Sequence, residues 1–162
     1  MNIHDNFLPE KDFKDLTNIV TSTMFPWYLN HGVSFQDDGL VQFTHTIYKN
    51  DSFISSYTLG GLDIFKNLLQ MTSLVRVKFN LLHRTDKRIV HLPHTDLKDP
   101  IDNLKTAILY LNTNNGYTEF ETGEKVESVK NRLVVFDAKI KHNGTTNTCD
   151  TPYRIVLNLN YF

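Results

Sequence analysis

After Ser73 the chain offers no stretch long enough for a useful helix. Residues 74–162 are short runs of β-branched and aromatic residues, separated by turn residues: Asn112-Thr-Asn-Asn-Gly116, Thr122-Gly123, Lys130-Asn131 and Asn143-Gly144. The pattern predicts strands near 41–48, 74–82, 104–112, 117–121, 132–137 and 153–161, with shorter pieces near 33–36, 90–93 and 125–129. Two helices precede most of them. The first runs from Pro9 to about Thr23, with Phe13, Leu16, Ile19 or Val20, and Met24 at three- and four-residue spacing. Pro9 suits its first position, and Phe25-Pro26 ends it. The second runs from about Leu62 to Met71, with Leu62, Phe65, Leu68 and Leu69 on one side. Many short strands behind two helices predict a mainly β (α+β) fold: an antiparallel barrel or jelly roll with the helices packed outside.

A chain of 162 residues, 40% hydrophobic, fits one domain with a substantial core. Residues 1–73 read as helical support with a loop region, and 74–162 as the jelly-roll core. A formal net charge of −1 argues against a strongly basic nucleic-acid binder. One cysteine, Cys149, excludes a disulfide framework and a Cys-rich zinc module, and its polar surroundings suggest an ordinary free thiol. The first residues lack a basic segment followed by an apolar one, and no apolar run approaches the ~18 residues of a spanning helix. The expectation is a soluble, cytoplasmic protein.

Seven histidines are present, and two of them stand in telling company. Leu92-Pro-His94-Thr-Asp96 sets an imidazole and a carboxylate two residues apart, on the same side of an extended chain. His142 follows the apolar run Leu133-Val-Val-Phe-Asp137 and can supply a third ligand from another strand. Two histidines and one carboxylate leave coordination positions open, as in non-haem Fe(II) oxygenases. His91-Leu-Pro-His94 keeps zinc as an alternative, although Pro93 prevents a helical histidine pair. On the last strand Arg154, Val156, Asn158 and Asn160 alternate with Ile155, Leu157, Leu159 and Tyr161. This fits a lined barrel interior, though a solvated outer face would look the same. An inward Arg154 needs an anion, and a carboxylate suits its geometry, with Tyr110 able to add a hydrogen bond.

In these residues the chain resembles the 2-oxoglutarate- and Fe(II)-dependent oxygenases, in particular the prolyl-4-hydroxylase-like branch and its small phage-encoded members. The resemblance rests on His94-Thr-Asp96, Ala107-Ile-Leu-Tyr-Leu-Asn112, Gly116-Tyr-Thr-Glu-Phe120, Asn131-Arg-Leu-Val-Val-Phe-Asp137, His142 and Arg154. Asn6-Phe-Leu-Pro-Glu10 and Phe25-Pro-Trp-Tyr28 also look like the opening of the phage-type members. The chain departs from the commonest pattern at Arg76-Val77, where many members have a tyrosine. It departs again at Gly116-Tyr117-Thr118, in place of Gly-Gly-Glu-Thr.

The resemblance implies a double-stranded β-helix, the jelly-roll barrel of that family. It implies Fe(II) held by His94, Asp96 and His142, with O2 as oxidant, 2-oxoglutarate as co-substrate and ascorbate as an optional addition. The distal carboxylate of 2-oxoglutarate would meet Arg154 and Tyr110, with Asn158 and Asn80 as further co-substrate contacts. The implied reaction hydroxylates an unactivated C–H bond and converts 2-oxoglutarate to succinate. The expected partner is a small-molecule, peptide or protein substrate, with nucleic acid less favoured and no membrane. A prolyl residue is the leading substrate, and a non-catalytic ligand-binding barrel is the alternative from another class. A monomer or weak homodimer is expected, in the host cytoplasm if the chain is phage-encoded. Tyr48–Gly61, with its serines, aromatic residues and paired glycines, reads as a substrate-covering loop.

Overall fold

The computed structural model describes residues 1–57 and 62–162. Its elements follow the order β1 (Asn2–His4), α1 (Glu10–Val20), β2 (Tyr28–His31), β3 (Val41–Lys49), β4 (Ser52–Phe53), α2 (Leu62–Leu69) and β5 (Leu74–His83). There follow β6 (Lys105–Tyr110), β7 (Tyr117–Phe120), β8 (Lys125–Glu127), β9 (Arg132–Asp137), β10 (His142–Gly144) and β11 (Tyr153–Tyr161). One antiparallel sheet has the order β1-β9-β6-β11-β5-β3-β2, with β4 paired to β3. A smaller sheet has the order β10-β7-β8.

The alternation of β11 sorts the two sides. Ile155, Leu157, Leu159 and Tyr161 join Val77, Phe79, Ala107, Leu109 and Leu133 in one apolar cluster. Phe13, Leu16 and Val20 of α1 and Leu62 and Phe65 of α2 cover that outer face. On the inner face, Ile108, Tyr110, Val134, Phe136 and Val156 meet Phe120 and Val126 of the small sheet. The result is a jelly roll, the double-stranded β-helix, with two helices outside it. Arg154 and Asn158 on the inner face are buried, so the polar row lines an interior and is not a solvated surface.

Several local expectations change. α1 stops at Val20, well before Pro26, because Trp27 Nε1 donates to the Val20 carbonyl at 3.2 Å and Thr21 folds its hydroxyl onto the Thr17 carbonyl at 2.7 Å. Met24 is consequently exposed rather than part of the helix stripe. Pro9 sits at the capping position, one residue ahead of the helix. α2 ends at Leu69, where Gln70 takes a left-handed conformation and Met71 N–H donates to the Lys66 carbonyl. No strand forms at 33–36. The Asp38 carboxylate takes the N–H groups of Val33, Ser34 and Phe35 at 3.0, 2.8 and 3.3 Å, leaving none of them for a ladder. Residues 90–93 contribute only an isolated bridge from Val90 to Thr145. The anticipated turn at Asn143-Gly144 is instead part of β10.

Candidate metal and carboxylate site

Across the inner face of the large sheet the register lines up three polar rows. Asn160 stands opposite Arg76 and Thr106, Asn158 opposite Lys78 and Ile108, and Val156 opposite Asn80 and Tyr110. Arg76 Nε donates to Asn160 Oδ1 at 3.0 Å, and Asn160 Nδ2 donates to Thr106 Oγ1 at 2.9 Å. These pairings bring together residues about fifty to eighty positions apart. Period-two alternation in one strand cannot announce them.

His94 and His142 face each other across a two-residue antiparallel bridge, each N–H donating to the other's carbonyl at 3.0 Å. Their ring centroids are 5.1 Å apart. Asp96, two residues beyond His94, reaches the same point. One ligand atom from each of His94, Asp96 and His142 lies within 4.8 Å of the other two. Thr95, between the two ligands, bonds its hydroxyl to the Leu97 carbonyl instead. The structure therefore brings together the three residues singled out as metal ligands.

The Asp96 carboxylate is held from several directions. Arg76 Nη2 lies 3.0 Å from its Oδ1 and Arg76 Nη1 donates to its backbone carbonyl at 2.8 Å. Asn158 Nδ2 donates to Oδ1 at 3.2 Å and Asn160 Nδ2 to Oδ2 at 3.3 Å. Burial alone would raise this carboxyl, but Arg76 and the neighbouring His142 and His94 overcome it and hold the group well below the usual carboxylate range. Burial pushes the His142 imidazole down, against the pull of Asp96. Both tendencies leave the groups in the deprotonated forms a metal requires.

Arg154 lies further along the same cleft and is 4% exposed. Its Nε donates to Ser128 Oγ at 2.8 Å and its Nη2 to Thr118 Oγ1 at 3.1 Å. Among the described residues it pairs with no carboxylate. Two glycines make room for it. A Cβ at Gly116 would fall 2.8 Å from Arg154 Cδ, and one at Gly144 would fall 3.4 Å from Nη1. Gly144 therefore serves close approach within a strand rather than a turn.

Tyr110 is fully buried, with its ring 5.5 Å from the Arg154 guanidinium carbon and its hydroxyl donating to Thr118 Oγ1 at 2.8 Å. Thr118, rather than Tyr110, lines the cleft. Asn80 and Asn158 line it too, and each has a buried Oδ1 without a hydrogen-bond partner.

His91 was absent from the expected set and also lines the cleft. Its Nδ1 is buried without a partner, and burial together with the Arg154 charge pushes its imidazole down to about 4. It belongs to no metal-ligating group among the described residues, which removes the basis for a zinc site built on His91 and His94. The other unforeseen lining residues are Thr118, Lys78 and Gln42. Only the alternation of the 74–82 run hinted at Lys78 and Arg76. Ser52–Tyr57 lies away from this cleft: Ser55 Oγ meets His45 Nε2 at 2.7 Å on the helix-covered face, and residues 58–61 lie outside the described ones. The loop beside the metal group is 32–36, which Ser34 ties to the Leu92 carbonyl at 2.7 Å.

By sequence, no family model matches the chain and no curated protein matches it. By structure, the chain is similar to an oxidoreductase of the 2OG-Fe(II) oxygenase family from Burkholderia pseudomallei. The TM-score is 0.70 at 14% identity, over 97% of this chain and 81% of that one. A Pseudomonas putida prolyl-4-hydroxylase aligns at TM-score 0.65 and 19% identity, over 99% and 91% of the two chains. A Trichoplax adhaerens prolyl hydroxylase, solved with a peptide fragment of the hypoxia-inducible-factor oxygen degradation domain, aligns at 0.62 and 13%, over 99% and 82%. The chain has the fold of these oxygenases.

Proposed function

We propose that the protein is a 2-oxoglutarate- and Fe(II)-dependent dioxygenase that hydroxylates an unactivated C–H bond. The observation that carries this reading is one cleft holding both a His–Asp–His group and a buried guanidinium without an acidic partner. The donor set fits the metal: two imidazoles and one carboxylate suit Fe(II) and leave positions open for other ligands. The guanidinium fits the co-substrate, because burying a cation is costly until an anion joins it, and a carboxylate pairs with arginine in two parallel hydrogen bonds. Bound there, iron and 2-oxoglutarate would supply activation of O2 coupled to formation of succinate.

The chain's own part is positioning. The His94–His142 bridge fixes two ligands on paired backbone, and Arg76, Asn158 and Asn160 fix the third. Arg154 would receive the distal carboxylate of 2-oxoglutarate, held in orientation by Ser128 and by Thr118, which Tyr110 braces from behind. Asn80 and Asn158 would offer their free Oδ1 atoms to the walls of the same space. A prolyl residue in a peptide is a second reading of the substrate, favoured by the fold shared with two prolyl hydroxylases, one of them solved with a peptide.

Anaerobic addition of Fe(II) and 2-oxoglutarate tests the proposal. A metal-to-ligand charge-transfer band should appear with the wild type and vanish in His94→Ala. Absence of the band in the folded wild type, with zinc bound instead, would defeat the reading.

A further inference from the structure

Three cations line the clefts around the metal group: Arg76, Lys78 and Arg154. Arg76 is neutralised by Asp96. Arg154 has a role in the proposed co-substrate pocket. Lys78 has none, and among the described residues no carboxylate lies within the 4.0 Å of an ion pair. Two acids beside the clefts are committed elsewhere. Asp96 is held by Arg76, Asn158 and Asn160, and Asp38 spends its oxygens on the backbone of residues 33–35 and Leu40.

Lys78 stands where two spaces join. It lines the inner cleft with Arg154 and Thr118, and also an outer cleft with Asn30, Ser34, Phe35 and Gln42. His94 and Asp96 line both, so the outer cleft opens directly onto the metal group. Its cavity volume of about 200 Å³ lies below the usual range of ligand pockets and admits only a small molecule or one end of a larger one. Phe35, which is exposed, lines the outer cleft as apolar surface. Burial and the nearby Arg76 charge push the Lys78 ammonium down to about 8, and the Asp96 charge offsets them only in part.

We propose that the substrate is a small carboxylic acid, of the size of a free amino acid, and that Lys78 receives its carboxylate in the outer cleft beside the metal. The proposal rests on the iron and 2-oxoglutarate reading and adds the substrate class to it. The carboxylate would bring an ion-pair partner to an ammonium that has none among the described residues, while Phe35 offers apolar contact to the rest of the molecule. Two cations set on either side of one metal group, Arg154 within and Lys78 at the junction, would hold two different acids apart.

The test uses the anaerobic protein with Fe(II) and 2-oxoglutarate, whose charge-transfer band shifts when a molecule binds next to the metal. Free L-amino acids and their C-terminal amides serve as probes for the wild type, Lys78→Met and Lys78→Arg. The expected result is a shift by at least one acid that its amide does not reproduce. That shift should weaken by about 30-fold or more in Lys78→Met and persist in Lys78→Arg. The proposal is overturned if amides bind as well as acids, if no acid shifts the band, or if Lys78→Met binds the acid normally. It is also overturned if Lys78→Met loses the band before any probe is added while Lys78→Arg keeps it. Lys78 would then serve the keto-acid end of 2-oxoglutarate. A band missing from the wild type itself strikes the oxygenase reading instead. Circular dichroism of each variant separates these outcomes from misfolding.

Discussion

Arg154 shows how much of a site can depend on what a residue lacks. Its side chain can lie where it does because Gly116 carries no Cβ, and Gly144 leaves its Nη1 uncrowded. Gly116→Ala should force Arg154 to move, costing about 1–3 kcal/mol of stability from overpacking. It should also weaken 2-oxoglutarate about tenfold, equivalent to ~1.4 kcal/mol. Zinc affinity should stay unchanged, because His94, Asp96 and His142 are not touched. Parallel titrations of metal and co-substrate check this split.

His91 gives a pH-dependent counterpart. Its folded imidazole titrates near 4 rather than near 6.5, so between those values the unfolded chain binds the extra proton and the folded one does not. Stability therefore falls as pH drops through that window and is retained above it. The wild type should lose on the order of 3 kcal/mol relative to His91→Gln between about pH 7 and pH 4. Urea unfolding of the two metal-free proteins across that range measures the difference. In the sequence His91 stood out only through its spacing from His94, which pointed to zinc. Its depressed titration comes from burial and from the Arg154 charge beside it.

At the scale of elements, the strands that carry the site were legible because β5 and β11 alternate, while β6 and β9 are short apolar runs bounded by turn residues. β5, β6, β9 and β11 fall where the pattern predicts them, within a residue or two. The elements that were missed or misplaced are those decided by side chain to backbone hydrogen bonds. Asp38 wraps residues 33–35 into a turn, and β2 forms just ahead of it at Tyr28–His31. The Trp27 indole closes α1 early. Trp27→Phe should cost about 1 kcal/mol by removing that donor. It should leave metal binding unaffected, since the helix packs on the opposite face of the sheet from the metal group. Because Trp27 is the only tryptophan, circular dichroism rather than indole fluorescence should follow the urea transition.

At the scale of the molecule, the two sheets divide the labour. The outer face of the large sheet is a dry core closed by α1 and α2, and the inner face mixes an apolar cluster with a polar cleft. No helix among the described residues is long and apolar enough to cross a membrane. The buried charges of the cleft are stabilised most when their ligands are present. Fe(II) at about 100 times its dissociation constant should add about 2.7 kcal/mol, before any further gain from 2-oxoglutarate. That corresponds to about 5–10 °C in Tm for a chain of this size. Thermal unfolding under nitrogen, with His142→Ala as the control that gains nothing, measures it.

The sequence by itself determined which residues are chemically capable: the His-x-Asp pair, the third histidine after an apolar strand, and an arginine on a strand whose faces alternate. Each of those signals is local, carried by a period of two or by a few neighbouring residues. Only the tertiary structure decided that Arg76 secures Asp96, that Thr118 stands between Tyr110 and the cleft, and that Lys78 remains without a counter-charge. Those facts depend on cross-strand register and on which acids are already occupied. Both are relations between residues far apart in the chain, which become physical only when the sheets form.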